Sequence, residues 1–413
     1  MYRRHIEPAL RAALSDTRVV LLNGARQTGK STLAEALARE QGGRYVTLDD
    51  ETLLSTARSD PAALLQGETR LTVIDEVPKA PELLPAVKRE VDRDKRPGRF
   101  LLTGSANIFL VPRVAESLAG RIEILPLLPL SQDELAGRAA SLPDALFSGS
   151  PWRTRRSTLK RLDVGKRLIA GGYPEVLARA PGARRAAWFT SYVSSLLQRD
   201  VRDLANIDGL TEMPRLLGLL AARTSTLMNM AELSRAAGIP HSTLKRYLTL
   251  LEATFILQPL PAWSANLGKR FVKAPKIHLL DAGLTAHLRG ESDAAQLVAS
   301  PTVGPLLESF VLQEVRKQLG WSRQTAVPYH FRTATGREVD IVLEAPGGRV
   351  AGIEVKAATA VDTGDFAGLQ ALAEAAGRKF VRGVVLYLGE HAVARGDNLW
   401  ALPIDELWRP SEG

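Results

Sequence analysis

The chain of 413 residues contains no cysteine. This absence excludes disulfide bonds, thiolate zinc sites, iron–sulfur clusters and a cysteine nucleophile. Histidine is also scarce, and the six present lack the spacing of metal ligands: His5, His241, His278, His287, His330 and His391. The sequence therefore contains no recognisable zinc motif.

Long hydrophobic runs are absent as well. No apolar run reaches the roughly 18 residues that a membrane-spanning helix requires. The first residues include Glu7, Arg11 and Asp16, so they do not form the apolar core of a signal peptide. We expect a cytoplasmic protein without a membrane partner.

The composition is that of a globular protein, with 45% apolar and 24% charged residues. At about 100 to 200 residues per domain, the length corresponds to two to four domains. The formal net charge is +9, and the segment Pro151–Thr190, with ten basic and two acidic residues, supplies +8 of it. Because Trp152, Tyr173 and Trp188 lie among these basic residues, the segment favours a nucleic-acid surface, with a solvated basic face as the alternative.

Short apolar runs alternate with helical patterns in the first 125 residues. The runs are Val19–Leu22, Tyr45–Leu48, Leu71–Ile74 and Phe100–Leu102. This alternation predicts an α/β fold with a doubly wound parallel sheet. Residues 126–151 are rich in proline, serine and glycine and indicate a boundary. We therefore place an α/β domain at 1–150, a helical region at 151–300 and a second α/β domain at 301–413.

A P-loop follows the first apolar run. Gly24–Ser31 fits the pattern G-x-x-x-x-G-K-[ST] in full and opens an amphipathic helix, Lys30–Glu40. The glycines let backbone N–H groups surround the phosphates of ATP, and the helix N-terminus adds partial positive charge. Lys30 is expected to reach the β- and γ-phosphates, and Ser31 to hold Mg²⁺. The predicted nucleotide-binding residues are Gly24, Ala25, Arg26, Gln27, Thr28, Gly29, Lys30, Ser31 and Thr32.

An apolar strand that ends in two acids follows the P-loop. Asp75 comes 45 residues after Lys30, and Glu76 is next to it. The carboxyl ends of parallel strands meet the ligand in such folds. Asp75 therefore suits the Mg²⁺ shell, and Glu76 suits the base that polarises the attacking water.

Residues 230–252 fit a helix-turn-helix. A short helix from Met230 is followed by a turn at Gly238–Pro240 and a second helix from His241 to Glu252. Phe255–Leu260 is a candidate wing strand. A DNA-reading second helix would present four side chains to the groove or to phosphates, namely His241, Ser242, Lys245 and Arg246. A protein-binding or structural role is the alternative.

The order of motifs resembles a large bacterial and archaeal family that joins an AAA-type ATPase domain to a C-terminal domain of unknown function 4143. That C-terminal domain resembles the PD-(D/E)XK nuclease fold. The motifs are Gly24–Ser31, Val73–Glu76, Leu102–Ser105, Gly171–Glu175, Leu279–Leu284, Glu338–Asp340 and Ile353–Lys356. Here Val339-Asp340 stands where the nuclease signature has Pro-Asp.

The resemblance implies further roles in the ATPase domain. AAA-type ATPases carry a polar γ-phosphate sensor on the strand after the acidic one, which here implies Ser105, with Thr103 and Asn107 as alternatives. Arg121 is implied as an arginine finger that completes the site of a neighbouring subunit, with an ordinary surface arginine as the alternative. The resemblance also implies a homo-oligomer, with a ring as one form.

The C-terminal sequence predicts a hairpin with carboxylates on one face. Side chains alternate along a strand, so Asp340 is opposite the apolar face of 339–343, and Glu354 and Lys356 share a polar face. Two neighbouring carboxylates favour a cation, and Mg²⁺ or Mn²⁺ suits oxygen ligands. Lys356 would then stabilise developing charge. Glu308 matches the acid that related nucleases supply from their first helix. The alternative is a solvated face on which Glu354 and Lys356 pair.

Three functions follow. The leading hypothesis is an ATP-dependent, DNA-acting enzyme that combines a Mg²⁺-dependent ATPase with a Mg²⁺- or Mn²⁺-dependent nuclease domain. The second is a nucleotide-gated DNA- or protein-binding switch in which the nuclease-like domain is a docking module. The third is an ATPase that remodels a protein partner without nucleic acid.

Overall fold

The structure is a computed structural model that describes residues 2–67, 69–105, 118–139, 141–148, 150, 152, 156–201, 211–270 and 273–409. The chain divides into two compact units. The first unit consists of Arg4–Pro129 and Thr249–Ile256, and the second of Met1–Arg3, Leu130–Leu248 and Leu257–Gly413. Across the described ranges, no helix combines the length and the apolar composition that a bilayer crossing requires.

The first unit contains a five-stranded sheet in the order β2-β3-β4-β1-β5, and every neighbouring pair is parallel. The strands are β1 (Val19–Asn23), β2 (Arg44–Thr47), β3 (Thr72–Asp75), β4 (Phe100–Gly104) and β5 (Ile122–Pro126). This confirms the parallel sheet expected from the four apolar runs. The fifth strand was not expected, because most of its side chains are at least partly exposed and its sequence is not uniformly apolar.

Helices cover both faces of this sheet. They are α1 (Glu7–Asp16), α2 (Lys30–Glu40), α3 (Glu51–Ser59), α4 (Pro61–Leu64) and α5 (Leu83–Arg93), with a 3₁₀ turn at Val77–Lys79. Alternate strand residues point to opposite faces, so Leu21 packs in one apolar cluster with residues of α5 and Leu22 in another with residues of α1 and α2. Strands β1, β3 and β4 are therefore buried on both faces, which explains their largely apolar sequences.

The second unit begins with short helices where the sequence predicted a boundary. These helices are α6 (Gln132–Ala136) and α7 (Leu142–Phe147). The backbone N–H of Gln132 donates to Glu314 (2.6 Å), and that of Leu142 donates to the side chain of Gln318 (2.8 Å). Gln132 and Leu142 are therefore joined to the C-terminal part of the chain, and the division between the two units lies after Pro129.

Most of the helical region lies in the same unit as the C-terminal part, whereas Thr249–Ile256, which includes the end of its last long helix, belongs to the first unit. The helices of the region are α8 (Arg161–Ala170), α9 (Pro174–Leu177), α10 (Ala183–Ser195), continued by a π-helical turn at Leu196–Val201, α11 (Met213–Ala222), α12 (Met230–Ala237), α13 (His241–Ala253), α14 (Leu267–Arg270), α15 (Ala282–Leu288) and α16 (Ala294–Ala299). The helix-turn-helix is confirmed as α12, a turn and α13. Leu233 and Ile239 are buried on either side of the turn, and Gly238 has a left-handed φ of +73°.

The predicted wing strand is not formed as such. Instead of a strand over Phe255–Leu260, the structure has isolated bridges that join Leu257 to Leu279 and Leu260 to Lys276. Apolar residues alone predicted the strand, but two single bridges do not extend into a ladder. The segment still serves to fix the backbone at Lys276.

The C-terminal part is a mixed six-stranded sheet in the order β10-β11-β9-β8-β7-β6. Its elements are α17 (Val303–Leu319), β6 (Val327–Arg332), β7 (Glu338–Ala345), β8 (Arg349–Lys356), α18 (Ala367–Ala376), β9 (Phe380–Tyr387), β10 (Val393–Arg395) and β11 (Leu399–Pro403), with 3₁₀ turns at Pro346–Gly348, Gly364–Phe366, Gly377–Lys379 and Ile404–Leu407. Strands β7 and β8 form the predicted antiparallel hairpin, in which Ile341 pairs with Ile353. Strand β9 then continues the sheet parallel to β8.

Candidate functional site

The loop between β1 and α2 is built from backbone conformations that favour glycine. Gly24 has a φ of +146°, and a Cβ atom there would lie 2.2 Å from the carbonyl oxygen of Leu127. Gly29 has a φ of +93° immediately before α2, and Gln27 a φ of +62°. These positions wind the loop around the start of α2, where backbone N–H groups and the helix dipole favour a phosphate group.

Lys30 occupies the first position of α2 and points into the loop. It is 4% exposed, and its Nζ donates hydrogen bonds to the carbonyl oxygens of Gly24 (3.0 Å) and Ala25 (2.9 Å). Thr28 is also buried, and its hydroxyl donates to the carbonyl of Ala25 (3.0 Å). The other predicted loop residues lie further out: Arg26 is half-buried, and Gln27 and Thr32 are exposed.

Asp75 at the end of β3 accepts hydrogen bonds from three hydroxyl groups. Ser31 donates to one carboxylate oxygen (2.9 Å), Tyr45 to the other (2.9 Å), and Thr103 to the same oxygen as Ser31. Asp75 is 3% exposed, so its negative charge depends on these donors. The sequence predicted Ser31 and Asp75 as Mg²⁺ ligands, and the structure brings them together.

Tyr45 is a member of this group that sequence reasoning missed. Burial, and secondarily the charge of Asp75, raises the pKa of the Tyr45 phenol, so it stays a hydrogen-bond donor. Strands β2 and β3 pair in parallel with Thr47 beside Asp75, and Tyr45 is two residues earlier on the same face. The alternation of side chains along β2 could therefore have indicated that Tyr45 lies near Asp75.

Glu76 follows Asp75 in a left-handed conformation, with a φ of +57°. Its backbone N–H donates to the hydroxyl oxygen of Thr103 (3.1 Å), and its carboxylate accepts from the hydroxyl of Ser105 (3.0 Å). Thr103, at the end of β4, thus contacts both acids, and Ser105, which follows the strand, contacts Glu76. Asn107, the other sensor candidate, lies outside the described residues.

Arg4 is a second contact to the loop that the sequence did not indicate. Its guanidinium donates to the carbonyl of Thr28 (2.6 Å) and to that of Leu128 (2.7 Å), and the residue is 9% exposed. The segment before α1 therefore supports the P-loop from outside and adds positive charge beside it.

Arg121 lies at the opposite edge of the sheet. The backbone N–H of Val19, at the start of β1, donates to the carbonyl of Arg121 (3.2 Å), whereas the P-loop follows the end of β1. The Arg121 guanidinium pairs with Asp92 through contacts of 2.6 and 3.0 Å. Within its own chain Arg121 is therefore remote from the loop, and its action on a neighbouring subunit stays a prediction.

The C-terminal hairpin brings the predicted carboxylates together. The register that pairs Ile341 with Ile353 sets Asp340 across from Glu354. Glu308, on α17, shares a partner with Asp340. That partner is Lys276, whose Nζ lies 2.7 Å from Glu308 and 3.2 Å from Asp340. Lys276 is 2% exposed and was not predicted as a site residue.

The pKa values of these groups reflect burial and mutual repulsion. Burial, followed by the charge of Asp340, raises the pKa of Glu354 to about 8, although Lys356 opposes the shift. The same two causes raise the pKa of Glu308 well above its usual value, against the effect of Lys276. Burial lowers the pKa of Lys276, but the charges of Asp340, Glu308 and Glu338 outweigh it and the net pKa is raised.

The hairpin acids are engaged by protein donors. Asp340 accepts a hydrogen bond from the backbone N–H of Val355 (2.9 Å) with its second oxygen, and Glu354 pairs with Lys356 (3.0 Å). In the part of the chain that the structure describes, no three His, Asp or Glu side chains are grouped to hold a metal ion. Each of the two expected metal ligands contacts a lysine in this structure: Asp340 contacts Lys276, and Glu354 contacts Lys356.

The four predicted DNA-binding residues lie on one exposed face of α13. His241, Ser242, Lys245 and Arg246 are all exposed, while Leu244 and Tyr247 face the interior. Nearby basic residues are used within the protein: Lys276 is buried, and Arg270 forms a two-contact ion pair with Glu344.

Of the aromatic residues in the basic segment, Trp152 and Tyr173 are buried and Trp188 is half-buried, whereas the sequence favoured an exposed surface. Trp152 is 6% exposed, with the Arg382 guanidinium over its ring. Tyr173 is fully buried, and its hydroxyl hydrogen-bonds with that of Tyr192 (3.0 Å). Trp188 stacks on Tyr192 at a centroid distance of 4.9 Å. Tyr173, Trp188 and Tyr192 thus form one ring cluster, and the buried rings of Trp152 and Tyr173 are not accessible for stacking on bases.

Two motifs of the resemblance form a structural joint. Asp281 is 2% exposed, and its carboxylate accepts hydrogen bonds from the backbone N–H groups of Gly172 (2.7 Å) and Leu284 (2.9 Å). A Cβ atom on Gly283 would lie 2.8 Å from the backbone nitrogen of Gly171. The glycines thus permit close backbone approach, and Asp281 caps α15.

Comparison with protein families gives three matches along the chain. An AAA domain matches residues 16–136, a domain of unknown function (DUF8612) matches 161–295, and a domain of unknown function (DUF4143) matches 303–407. The matches to the AAA domain and to DUF4143 confirm the resemblance inferred from the motifs. The AAA match contains the P-loop, Asp75 and Glu76, and the DUF4143 match contains Glu308, Asp340, Glu354 and Lys356.

Curated relatives and solved structures are also similar. The uncharacterized protein Rv2008c of Mycobacterium tuberculosis and the uncharacterized protein Mb2031c of Mycobacterium bovis are each 32% identical over 406 residues, which cover 98% of this chain and 84% of theirs. The Walker-type ATPase PABY2304 of Pyrococcus abyssi is 16% identical with a TM-score of 0.44, over 70% of this chain and 96% of that one. The RuvB Holliday junction branch migration motor of Thermotoga maritima is 18% identical with a TM-score of 0.30, over 61% and 88%.

The AAA-domain match agrees with the geometry of the nucleotide site. The P-loop, the Ser31–Asp75 pair and the adjacent Glu76 are the parts of an ATP-hydrolysing site. The chain belongs to the family of AAA-type ATPases that carry a C-terminal DUF4143 domain.

Proposed function

We propose that this ATPase couples Mg²⁺-dependent ATP hydrolysis to DNA binding, and that its C-terminal domain is a docking module. The observation that carries the ATPase part is the contact of Ser31 and Thr103 with Asp75, beside Glu76. This set supports the proposal, because the oxygens of Ser31 and Asp75 suit a hard cation and the neighbouring Glu76 carboxylate suits the orientation of water.

Each residue of the nucleotide site has a distinct task in this proposal. Lys30 exchanges its loop carbonyl acceptors for phosphate oxygens when ATP binds. Ser31 and Asp75 hold Mg²⁺, which when bound neutralises charge on the phosphates. Glu76, with its backbone fixed by Thr103 and its carboxylate by Ser105, accepts a proton from the attacking water.

The exposed face of α13 supports the DNA part of the proposal. Lys245 and Arg246 supply positive charge to phosphates, while His241 and Ser242 at the start of the helix supply polar groups that can reach base edges. The buried pair Leu233 and Ile239 fixes the angle between the two helices. A protein-binding surface is the alternative use of the same face.

The DNA part is tested by a gel shift with duplex and branched DNA, with and without a slowly hydrolysed ATP analogue. We expect the double change Lys245→Glu and Arg246→Glu to weaken binding at least tenfold, and to reduce the salt dependence because fewer phosphates are neutralised. The matched control changes Arg378→Glu and Lys379→Glu, an exposed basic pair outside α13 and outside the basic segment. Equal weakening in both variants would show a general charge effect and would remove α13 as the DNA-binding element.

A second candidate function is metal-dependent DNA cleavage by the C-terminal domain. The observation that favours it is the convergence of Glu308, Asp340, Glu354 and Lys356 at one site. The observation against it is Lys276, whose ammonium group lies among the acids. For this reason we rank a docking role first.

The cleavage assay separates the two candidates. Purified protein is incubated with plasmid and single-stranded DNA and with Mg²⁺ or Mn²⁺. A nuclease would lose cleavage in Asp340→Ala and in Lys356→Ala while ATP hydrolysis continues. Cleavage that persists in both variants comes from a contaminant, and no cleavage of any substrate supports the docking module.

A further inference from the structure

Lys276 is held in place by its own backbone. Its N–H donates to the carbonyl of Leu260 (2.9 Å), and its carbonyl accepts from the N–H of Leu260 (3.0 Å). The next residue, Ile277, donates to the carbonyl of Thr226 (2.8 Å). The side chain therefore starts from a fixed point and reaches inward, where it is 2% exposed.

The ammonium group of Lys276 contacts three carboxylates. Its Nζ lies 2.7 Å from Glu308, 2.5 Å from Glu338 and 3.2 Å from Asp340. The three acids come from α17 and β7, whereas Lys276 lies before both elements and outside residues 303–407 that match DUF4143. One segment of the chain thus supplies the cation for carboxylates of another.

We propose that Lys276 occupies the cation position of this carboxylate cluster and thereby excludes a divalent metal ion from it. A Mg²⁺ ion requires oxygen ligands at about 2.0–2.1 Å, so an ion bound to these oxygens would overlap the space of Nζ. Binding of the ion would require the ammonium group to leave three acids that neutralise it.

The neighbouring groups are largely engaged by protein donors, although one oxygen of Glu354 is buried without a hydrogen-bond partner. One Asp340 oxygen faces Lys276 (3.2 Å), and the other accepts the Val355 N–H (2.9 Å). Glu354 pairs with Lys356 (3.0 Å), which adds a second positive charge at the same site. Without a positive charge between them, the buried carboxylates would repel one another. The ammonium group of Lys276 offsets that repulsion.

The cluster therefore acts as an ionic junction between the segment at 276 and the C-terminal sheet. Loss of the ammonium should both weaken this junction and create a vacancy that a divalent cation can fill. The inference concerns the C-terminal site alone and does not depend on DNA binding by α13.

The test is metal rescue of the full-length chain without nucleotide. Lys276→Ala should lower the Tm, and 1–5 mM Mn²⁺ should then raise it by about 3–6 °C through binding to the native state. Wild type should shift by less than about 1 °C. The double variant Lys276→Ala and Asp340→Asn should not be rescued. The matched control is Lys273→Ala, an exposed lysine three residues earlier, which should behave like wild type.

If Lys276→Ala does not fold, Mn²⁺ binding measured by electron paramagnetic resonance tests the proposal instead. Wild type and Asp340→Asn should show the same Mn²⁺ binding, because neither has an accessible C-terminal site. Stoichiometric binding by wild type that is lost in Asp340→Asn would show that the metal coexists with Lys276 and would overturn the proposal. A folded Lys276→Ala variant that Mn²⁺ neither binds nor stabilises would overturn it as well.

Discussion

Replacing Thr103 should show how far ATP hydrolysis depends on the positions of Asp75 and Glu76, because Thr103 contacts both acids without being a proposed catalytic group. Its hydroxyl donates to Asp75 and accepts the backbone N–H of Glu76 (3.1 Å), so one group fixes both acids. Thr103→Val keeps the shape and removes both hydrogen bonds. Asp75 retains Ser31 and Tyr45 as donors, so its charge is still compensated, but its orientation is less defined.

The magnitude follows from the bonds lost. A hydrogen bond to a charged group contributes about 1.5–3 kcal/mol. If that energy is used to hold Asp75 and Glu76 in their working positions, kcat/KM for Mg-ATP should fall about 10- to 100-fold, since 1.4 kcal/mol corresponds to about a factor of ten. The loss should be larger at low Mg²⁺, because Asp75 is a proposed ligand of the ion.

The assay is steady-state ATP hydrolysis over a Mg²⁺ titration. Thr103→Ser keeps the hydroxyl and should remain within about threefold of wild type. Thr72→Val makes the same chemical change at the start of β3, where the hydroxyl contacts Thr69, and should have little effect on kcat/KM. Circular dichroism verifies folding of each variant. If Thr103→Val hydrolyses ATP like wild type at every Mg²⁺ concentration, the hydroxyl does not position the acids and the reasoning is wrong.

Three further outcomes are expected. Glu76→Gln should bind ATP but hydrolyse it on the order of 10²- to 10⁴-fold more slowly, as measured by phosphate release, with the exposed Glu82→Gln as a control that retains activity. Arg121→Ala should bind ATP without hydrolysing it and should regain ATPase activity when mixed with Glu76→Gln. The control Asp92→Asn breaks the same ion pair and should stay active. ATP hydrolysis by Arg121→Ala alone would refute the role of Arg121 as an arginine finger. Burial lowers the pKa of His330 to about 4, so the unfolded chain takes up a proton near pH 6.5 that the native state resists. The contribution of His330 to the free energy of unfolding should be fully present above pH 6.5 and fall by about 3 kcal/mol as the pH drops to 4. Urea unfolding of His330→Gln should therefore show a smaller loss of stability over this pH range.

The sequence alone predicted the site residues that lie in local motifs with a known geometry. The P-loop pattern located Lys30 and Ser31, and the acidic strand end located Asp75, because parallel strands place their carboxyl ends at one edge. The alternation of side chains in the hairpin placed Asp340 opposite Glu354 in the same way.

Contacts between distant segments were not accessible from local pattern. Lys276 lies 64 residues from Asp340 along the chain, and its backbone is bridged to Leu227 and to Leu260. Arg4 and Thr28 are likewise joined across 24 residues. A single sequence gives residue types and spacings, but these pairings arise from tertiary packing.

One missed element did have a local signal. Helix α6 begins with a capping box, in which Ser131 accepts the backbone N–H of Glu134 (3.0 Å) and Glu134 accepts that of Ser131 (3.0 Å). The prolines around it suggested a linker instead. The pattern Ser131-x-x-Glu134 was the stronger indication, because it satisfies otherwise unpaired donors of a helix start.

The position of Lys276 outside the DUF4143 match has a practical consequence for dissecting the protein. A recombinant fragment that begins at residue 301 would keep Glu308, Glu338 and Asp340 but would lack the lysine that contacts all three. Such a fragment would expose an acidic pocket to buffer cations. Metal affinity or DNA cleavage measured on it would describe the truncated piece and not the intact chain, so a truncation should begin upstream of residue 260 to retain both partners of the Leu260–Lys276 bridge.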